Sequence, residues 1–171
     1  MTYTKPFAFT IGLLAAMSLA TGPTIAQTGD FCAGLKSVAA QTATGFASLR
    51  GAQIGVSAGT NGLTYTDYTY AATTVLAGAN ASSCQVITTV DSGTSHGVYR
   101  CFFGYGSGKR LDAMGTLADT ISHCIGPVAS TDDIDVYTDD DVGSISFVHP
   151  DYTVELNASD SEPLTLIVSK T

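Results

Sequence analysis

Apolar residues recur at helical spacing in two stretches of the chain and at alternate positions through most of the remainder. From Asp30, "DFCAGLKSVAAQTATGFASLRG" sets Phe31, Leu35, Val38, Phe46 and Leu49 on one face of an α-helix, with Thr42 as the single polar member of the stripe. Thr28 or Asp30 is its expected N-cap, and Gly45 is expected to begin its end. A second helix is predicted within "GSGKRLDAMGTLADTISHCIGP". There Leu111, Met114, Leu117 or Ala118, Ile121 and Ile125 keep the period. Ser107 can cap its start, and Gly126 with Pro127 stops it.

Between the helices, Gly51 to Gly62 reads as loop or weak strand. "LTYTDYTYAATTVL" reads as strand, most securely from Tyr68 to Leu76. "AGANASS" is a turn. "SSCQVITTVDSGTSHGVYRCFF" then has two apolar arms around a polar centre, the pattern of a hairpin. A loop at Asp91-Ser92-Gly93-Thr94 sets Val90 opposite Ser95 and Cys84 opposite Cys101. After the second helix the pattern alternates in Ile134 and Val136, Ile145 and Phe147, Tyr152 to Leu156, and Leu164 to Val168, with short polar turns between. Four short strands so joined imply an antiparallel meander. The fold expected is therefore α+β, an antiparallel β-sheet with two α-helices packed on one face and braced by two disulfides.

The N-terminus changes the count of residues available to that fold. Lys5 precedes an uncharged apolar run from Phe7 to Ala20, and small residues follow at Thr24-Ile25-Ala26. The run is shorter than the roughly 20 residues a membrane-spanning helix needs. It reads as a signal peptide covering residues 1–26, cleaved near Ala26 with Ala20 as the second choice. Residues 27–171 then form a single α+β domain, secreted or periplasmic, with no membrane insertion after cleavage.

Export gives the cysteines their meaning. Cys32, Cys84, Cys101 and Cys124 all lie in the mature part, and an even number in an oxidising compartment reads as disulfides. Opposed hairpin residues have Cβ atoms about 4.5–5.5 Å apart, near enough for a Cys84–Cys101 bridge. Cys32 and Cys124 remain to tie helix to helix. The wide spacing fits no zinc ribbon, and no cofactor is expected.

Charge sets the class of partner. The formal net charge is −8, and loss of Lys5 with the leader makes it one unit more negative. Such a surface disfavours nucleic acid, where affinity comes from neutralising phosphates, and favours solubility or a cationic partner.

Three stretches are candidates for chemistry. "GTSHG" (Gly93 to Gly97) matches Gly-x-Ser-x-Gly, but the nucleophile elbow needs a strand-to-helix turn above a parallel sheet. Gly, Ser and Thr at a hairpin tip are ordinary turn residues. "GYGSGKR" runs from strand to helix, and Gly106, Ser107, Lys109 and Arg110 could hold an anion at the helix N-terminus, although the Walker pattern is not met. "STDDIDVYTDDDVG" carries Asp132, Asp133, Asp135, Asp139, Asp140 and Asp141, without the spacing of an EF-hand. His96, His123 and His149 are scattered, and no metal site is expected from them.

The reading that follows is an exported small binding protein of inhibitor or immunity type, recognising a cationic partner through Asp132, Asp133, Asp139, Asp140 and Asp141. The alternatives are a small secreted serine hydrolase using Ser95, and a Ca²⁺- or anion-binding module.

Overall fold

A computed structural model describes residues 25–59, 64–77, 81–105, 108–126, 143–159 and 162–171. In chain order these form α1 (Ile25–Ala39), 3-10 turns at Thr42–Thr44 and Ala47–Leu49, and strands β1 (Arg50–Ala58), β2 (Tyr65–Ala72), β3 (Ala81–Asp91) and β4 (Thr94–Phe103). Then come α2 (Arg110–Ile125), β5 (Gly143–Val148), β6 (Tyr152–Ala158) and β7 (Leu164–Lys170). The strands make one seven-stranded sheet in the order β1-β2-β3-β4-β7-β6-β5, antiparallel at every pairing.

Alternation along the strands becomes rows across the sheet. Val86, Tyr99, Val168, Val154 and Phe147 are successive cross-strand partners, and all are buried. The next row is Cys84, Cys101, Leu166, Leu156 and Ile145, buried likewise. Each fully buried side chain of this size contributes about 1.5–3 kcal/mol of transfer free energy, so these rows fix the register. A slip of one residue would turn them to solvent.

Two disulfides brace the fold, Cys84–Cys101 and Cys32–Cys124. The first joins directly opposed residues within a core row, as the hairpin pattern predicts. The second links α1 to α2 across a separation of 92 residues. Along α2, Met114, Leu117, Ile121 and Cys124 are buried. A Cβ on Gly143 of β5 would meet the Met114 side chain at 2.8 Å, which places α2 over that end of the sheet's buried face. The helix stops at Gly126, whose N–H donates to the Ser122 carbonyl.

Several sequence expectations need correction. The first helix does not run through to Leu49. It ends at Ala39, and the 3-10 turns carry Phe46 and Leu49 inward instead. The cause is local: the Thr42 hydroxyl donates to the Ala39 carbonyl at 2.9 Å, and Gly45 and Phe46 both adopt positive φ, 59° and 60°. Phe46 accepts that uncommon conformation because its ring is fully buried against Tyr99, 6.1 Å between centroids.

Thr28 and Asp30, the expected N-cap positions, lie inside α1 and not before it. The cap position of α2 belongs to Lys109, without a side-chain cap bond, and not to Ser107. The stretch after Gly51 is a full strand, β1. The Thr- and Tyr-rich strand occupies Tyr65–Ala72, earlier than expected. The expected strand at Ile134 and Val136 falls outside the described residues.

Candidate functional site

The hairpin tip was the candidate for catalysis, and its geometry is that of a tight turn. Asp91 pairs with Thr94, leaving Ser92 and Gly93 as a two-residue loop. Both have positive φ, 48° and 84°, the signature of a type I′ turn whose twist suits a hairpin. Ser95 pairs with Val90 and His96 with Thr89. Adjacent strand residues point to opposite faces, so the two side chains diverge, and both residues are exposed.

Gly97 sits beneath the 3-10 turn, where a Cβ would lie 2.6 Å from the Gly45 Cα. The two glycines of "GTSHG" therefore serve a turn and a close backbone approach. His149 belongs to the β5–β6 turn. Its ring stacks on Tyr152 at 4.5 Å, and its backbone N–H donates to the Tyr152 carbonyl at 2.8 Å. Among the described residues no hydrogen bond joins Ser95 to a histidine.

The two cations before α2 are not equivalent. Arg110 is half-buried, and its Nη1 donates to the Ser159 carbonyl at 2.6 Å, linking the start of α2 to the end of β6. Lys109 is exposed. Gly106 and Ser107, the other half of the anion candidate, lie outside the described residues. So do Asp132, Asp133, Asp139, Asp140 and Asp141. Among the described residues no group of three or more His, Cys, Asp and Glu is placed to hold a metal ion. The third histidine, His123, donates through Nδ1 to the Asp119 carbonyl one turn back on α2, 2.7 Å away.

Sequence reasoning did not anticipate an open cleft of about 440 Å³ between the end of α1 and the edge of the β5–β6 turn. Lys36, Thr42, Asp151, Tyr152 and Lys170 line it. Burial, and secondarily the nearby Asp151 carboxylate, hold the Tyr152 phenol above the ordinary tyrosine range. The lining comes from three distant stretches of chain. The only local signal was the strand pattern, which pairs Tyr152 with Lys170.

Deeper in the fold, the Tyr99 hydroxyl donates to the Thr74 carbonyl at 2.7 Å. It also lies 3.3 Å from Cys101 Sγ, a disulfide sulfur with no proton to give. Burial raises the Tyr99 phenol well beyond the usual tyrosine range.

No family model, curated protein or solved structure matches this chain. All four cysteines are paired, which points to an oxidising extracellular environment. Among the described residues no helix is long and apolar enough to cross a membrane.

Proposed function

We propose that this chain is an exported binding protein of inhibitor or immunity type that recognises a cationic protein partner. The observation that carries the reading is a doubly crosslinked sheet, with a buried core along β3 to β7, within a chain of net charge −8. A rigid body loses little conformational entropy on docking. An acidic surface speeds encounter with a basic partner and confers specificity more than it adds raw affinity.

In this reading the leader is removed near Ala26, both helices share the sealed face of the sheet, and the product is secreted or periplasmic. Asp132, Asp133, Asp139, Asp140 and Asp141 supply the contact charge. Affinity capture from the native envelope fraction, identified by mass spectrometry, tests it. Wild-type protein should recover a basic protein, and a variant with those five aspartates changed to Asn should lose at least tenfold of it. Equal recovery by the two proteins removes the assignment.

A further inference from the structure

β1 ends the sheet on one side. Its residues Ile54 and Val56 are 55% and 57% exposed. From Gly51 to Thr66 the chain carries no charged residue and no proline. Monomeric sheets guard their edges with charges, prolines, bulges or covering elements. Here the ladder to β2 shifts register between Arg50 and Gly55, then runs regularly from Gly55 to Ala58. The guard is confined to one half of the strand. Past Gly55, among the described residues, no further strand pairs with β1, and the Val56 side chain is exposed.

Beside this open half stand two carboxylates. Asp67 on β2 is paired with Ser57, and Asp91 on β3 is paired with Tyr65. Alternation places both on the same face, opposite to the core rows. Among the described residues they accept from hydroxyls: Asp67 from Thr89 at 2.6 Å, and Asp91 from Ser92 at 3.0 Å and Thr64 at 3.3 Å. Of the cations nearest in sequence, Arg100 on β4 pairs with Gln85, on the far side of β3 from β1, and Arg50 sits at the other end of β1. Its Nη2 donates to the Gly45 carbonyl at 3.2 Å, and its guanidinium lies over the Tyr70 ring, 5.4 Å from the centroid.

We infer that β1 accepts an extended segment of the basic partner as an additional antiparallel strand, which rests on the cationic-partner reading above. Main-chain bonds to a sheet edge give affinity, and alternate side chains give specificity. A strand added beyond β1 lies about 10 Å from β2, a gap that a Lys or Arg side chain reaching over Ser57 spans toward Asp67. The segment's intervening apolar residues cover Val56 on the opposite face. Because the carboxylates flank the C-terminal half of β1 and Arg50 its beginning, the cations fall in the N-terminal half of the incoming strand. A second copy of this chain is the weaker fit, since it brings the same net charge of −8.

The probe is a short synthetic peptide alternating Lys with Val, compared with its Glu-for-Lys counterpart. Amide exchange by NMR and titration of affinity are the readouts. The Lys peptide should slow exchange of the β1 amides at least tenfold. It should also bind at least tenfold more tightly than the Glu peptide and than it binds V56K. Since Val56 is exposed, V56K should keep the wild-type urea midpoint; should it not, the exchange pattern in wild-type protein decides alone.

Unchanged β1 exchange, equal binding of both peptides, or protection elsewhere overturns the inference. So does a wild-type dimer in sedimentation that V56K disperses, which would assign the edge to a second copy. The variant lacking Asp132, Asp133, Asp139, Asp140 and Asp141 should bind the Lys peptide as wild type does. Failure of the envelope capture and failure of this edge are thereby read separately.

Discussion

Replacing Gly97 with alanine would drive a methyl group into the backbone of Gly45. The added Cβ would stand 2.6 Å from both the carbonyl carbon and the Cα of that residue, well inside van der Waals contact. The obstacle cannot rotate away. Gly45 is the left-handed cap of a 3-10 turn, its carbonyl accepts the Arg50 guanidinium at 3.2 Å, and Phe46 beside it is wholly buried. Relief therefore requires the whole turn to lift from β4. Overpacking of this kind costs about 1–3 kcal/mol, and the upper half of that range applies where backbone meets backbone.

At about 3 °C per kcal/mol for a chain of this size, G97A should melt roughly 6–9 °C below wild type. Two other glycines calibrate the result. A Cβ at Gly143 also comes close, 2.8 Å, but to the terminal methyl of Met114, a flexible side chain end, so G143A should cost under about 1 kcal/mol. A Cβ at Gly93 meets nothing within 4 Å, yet its φ is 84°, so G93A should cost about 1 kcal/mol from conformation alone. Urea unfolding of the reversible, oxidised protein, with m-values held in common, gives the three differences. If G97A lies within 0.5 kcal/mol of G93A, the tip does not pack beneath the Gly45 turn, and the structural account of "GTSHG" fails.

Two further predictions follow from the crosslinks and the buried tyrosine. In the chain-entropy model, a bridge spanning 92 residues is worth about 4.6 kcal/mol and one spanning 17 about 3 kcal/mol. The C32S/C124S pair should thus unfold at lower urea than C84S/C101S, and the reverse order would refute the entropic ranking. Y99F strands the Thr74 carbonyl, which accepts from the Tyr99 hydroxyl at 2.7 Å, and should cost about 1–2 kcal/mol at neutral pH. The folded protein holds the Tyr99 and Tyr152 protons where the unfolded chain releases them. Stability should therefore be intact below about pH 10 and fall as pH rises beyond it. Y99F should flatten that fall, and a Y99F profile parallel to wild type would contradict it.

The parts legible in sequence were those where one period ran unbroken. Residues 84–103 alternate cleanly around a turn dipeptide, so both the register and the Cys84–Cys101 bridge could be counted off. Once that pair was assigned, Cys32–Cys124 followed. The second helix was equally plain because Gly126 ends it. The first helix was overextended because Phe46 and Leu49 continue its stripe arithmetically, while their burial is achieved through positive-φ turns. Such conformations leave no periodic trace, least of all at a phenylalanine. β1 was underread because its Gly, Ser and Ala content resembles loop. The cleft at Lys36, Tyr152 and Lys170 was invisible because tertiary packing alone assembles it.

The uneven burial of the strands has a geometric cause that bears on function. Seven strands at about 4.8 Å spacing set the edge strands about 29 Å apart. An α-helix with its side chains is about 10 Å across, so two helices could cover no more than about 20 Å of that width. The strands that contain no buried residue are β1 and β2, whereas β3 to β7 all contribute to the core. The composition of the uncovered pair answers the same constraint. Thr, Tyr, Ser and Gly tolerate half-exposure on both faces. β1 and β2 hold no fully buried residue and rest on ladder bonds and half-buried tyrosines, so amide exchange should show them opening before β3 to β7. An added strand gains most at such an edge, because it supplies the second ladder that the neighbouring core strands already have.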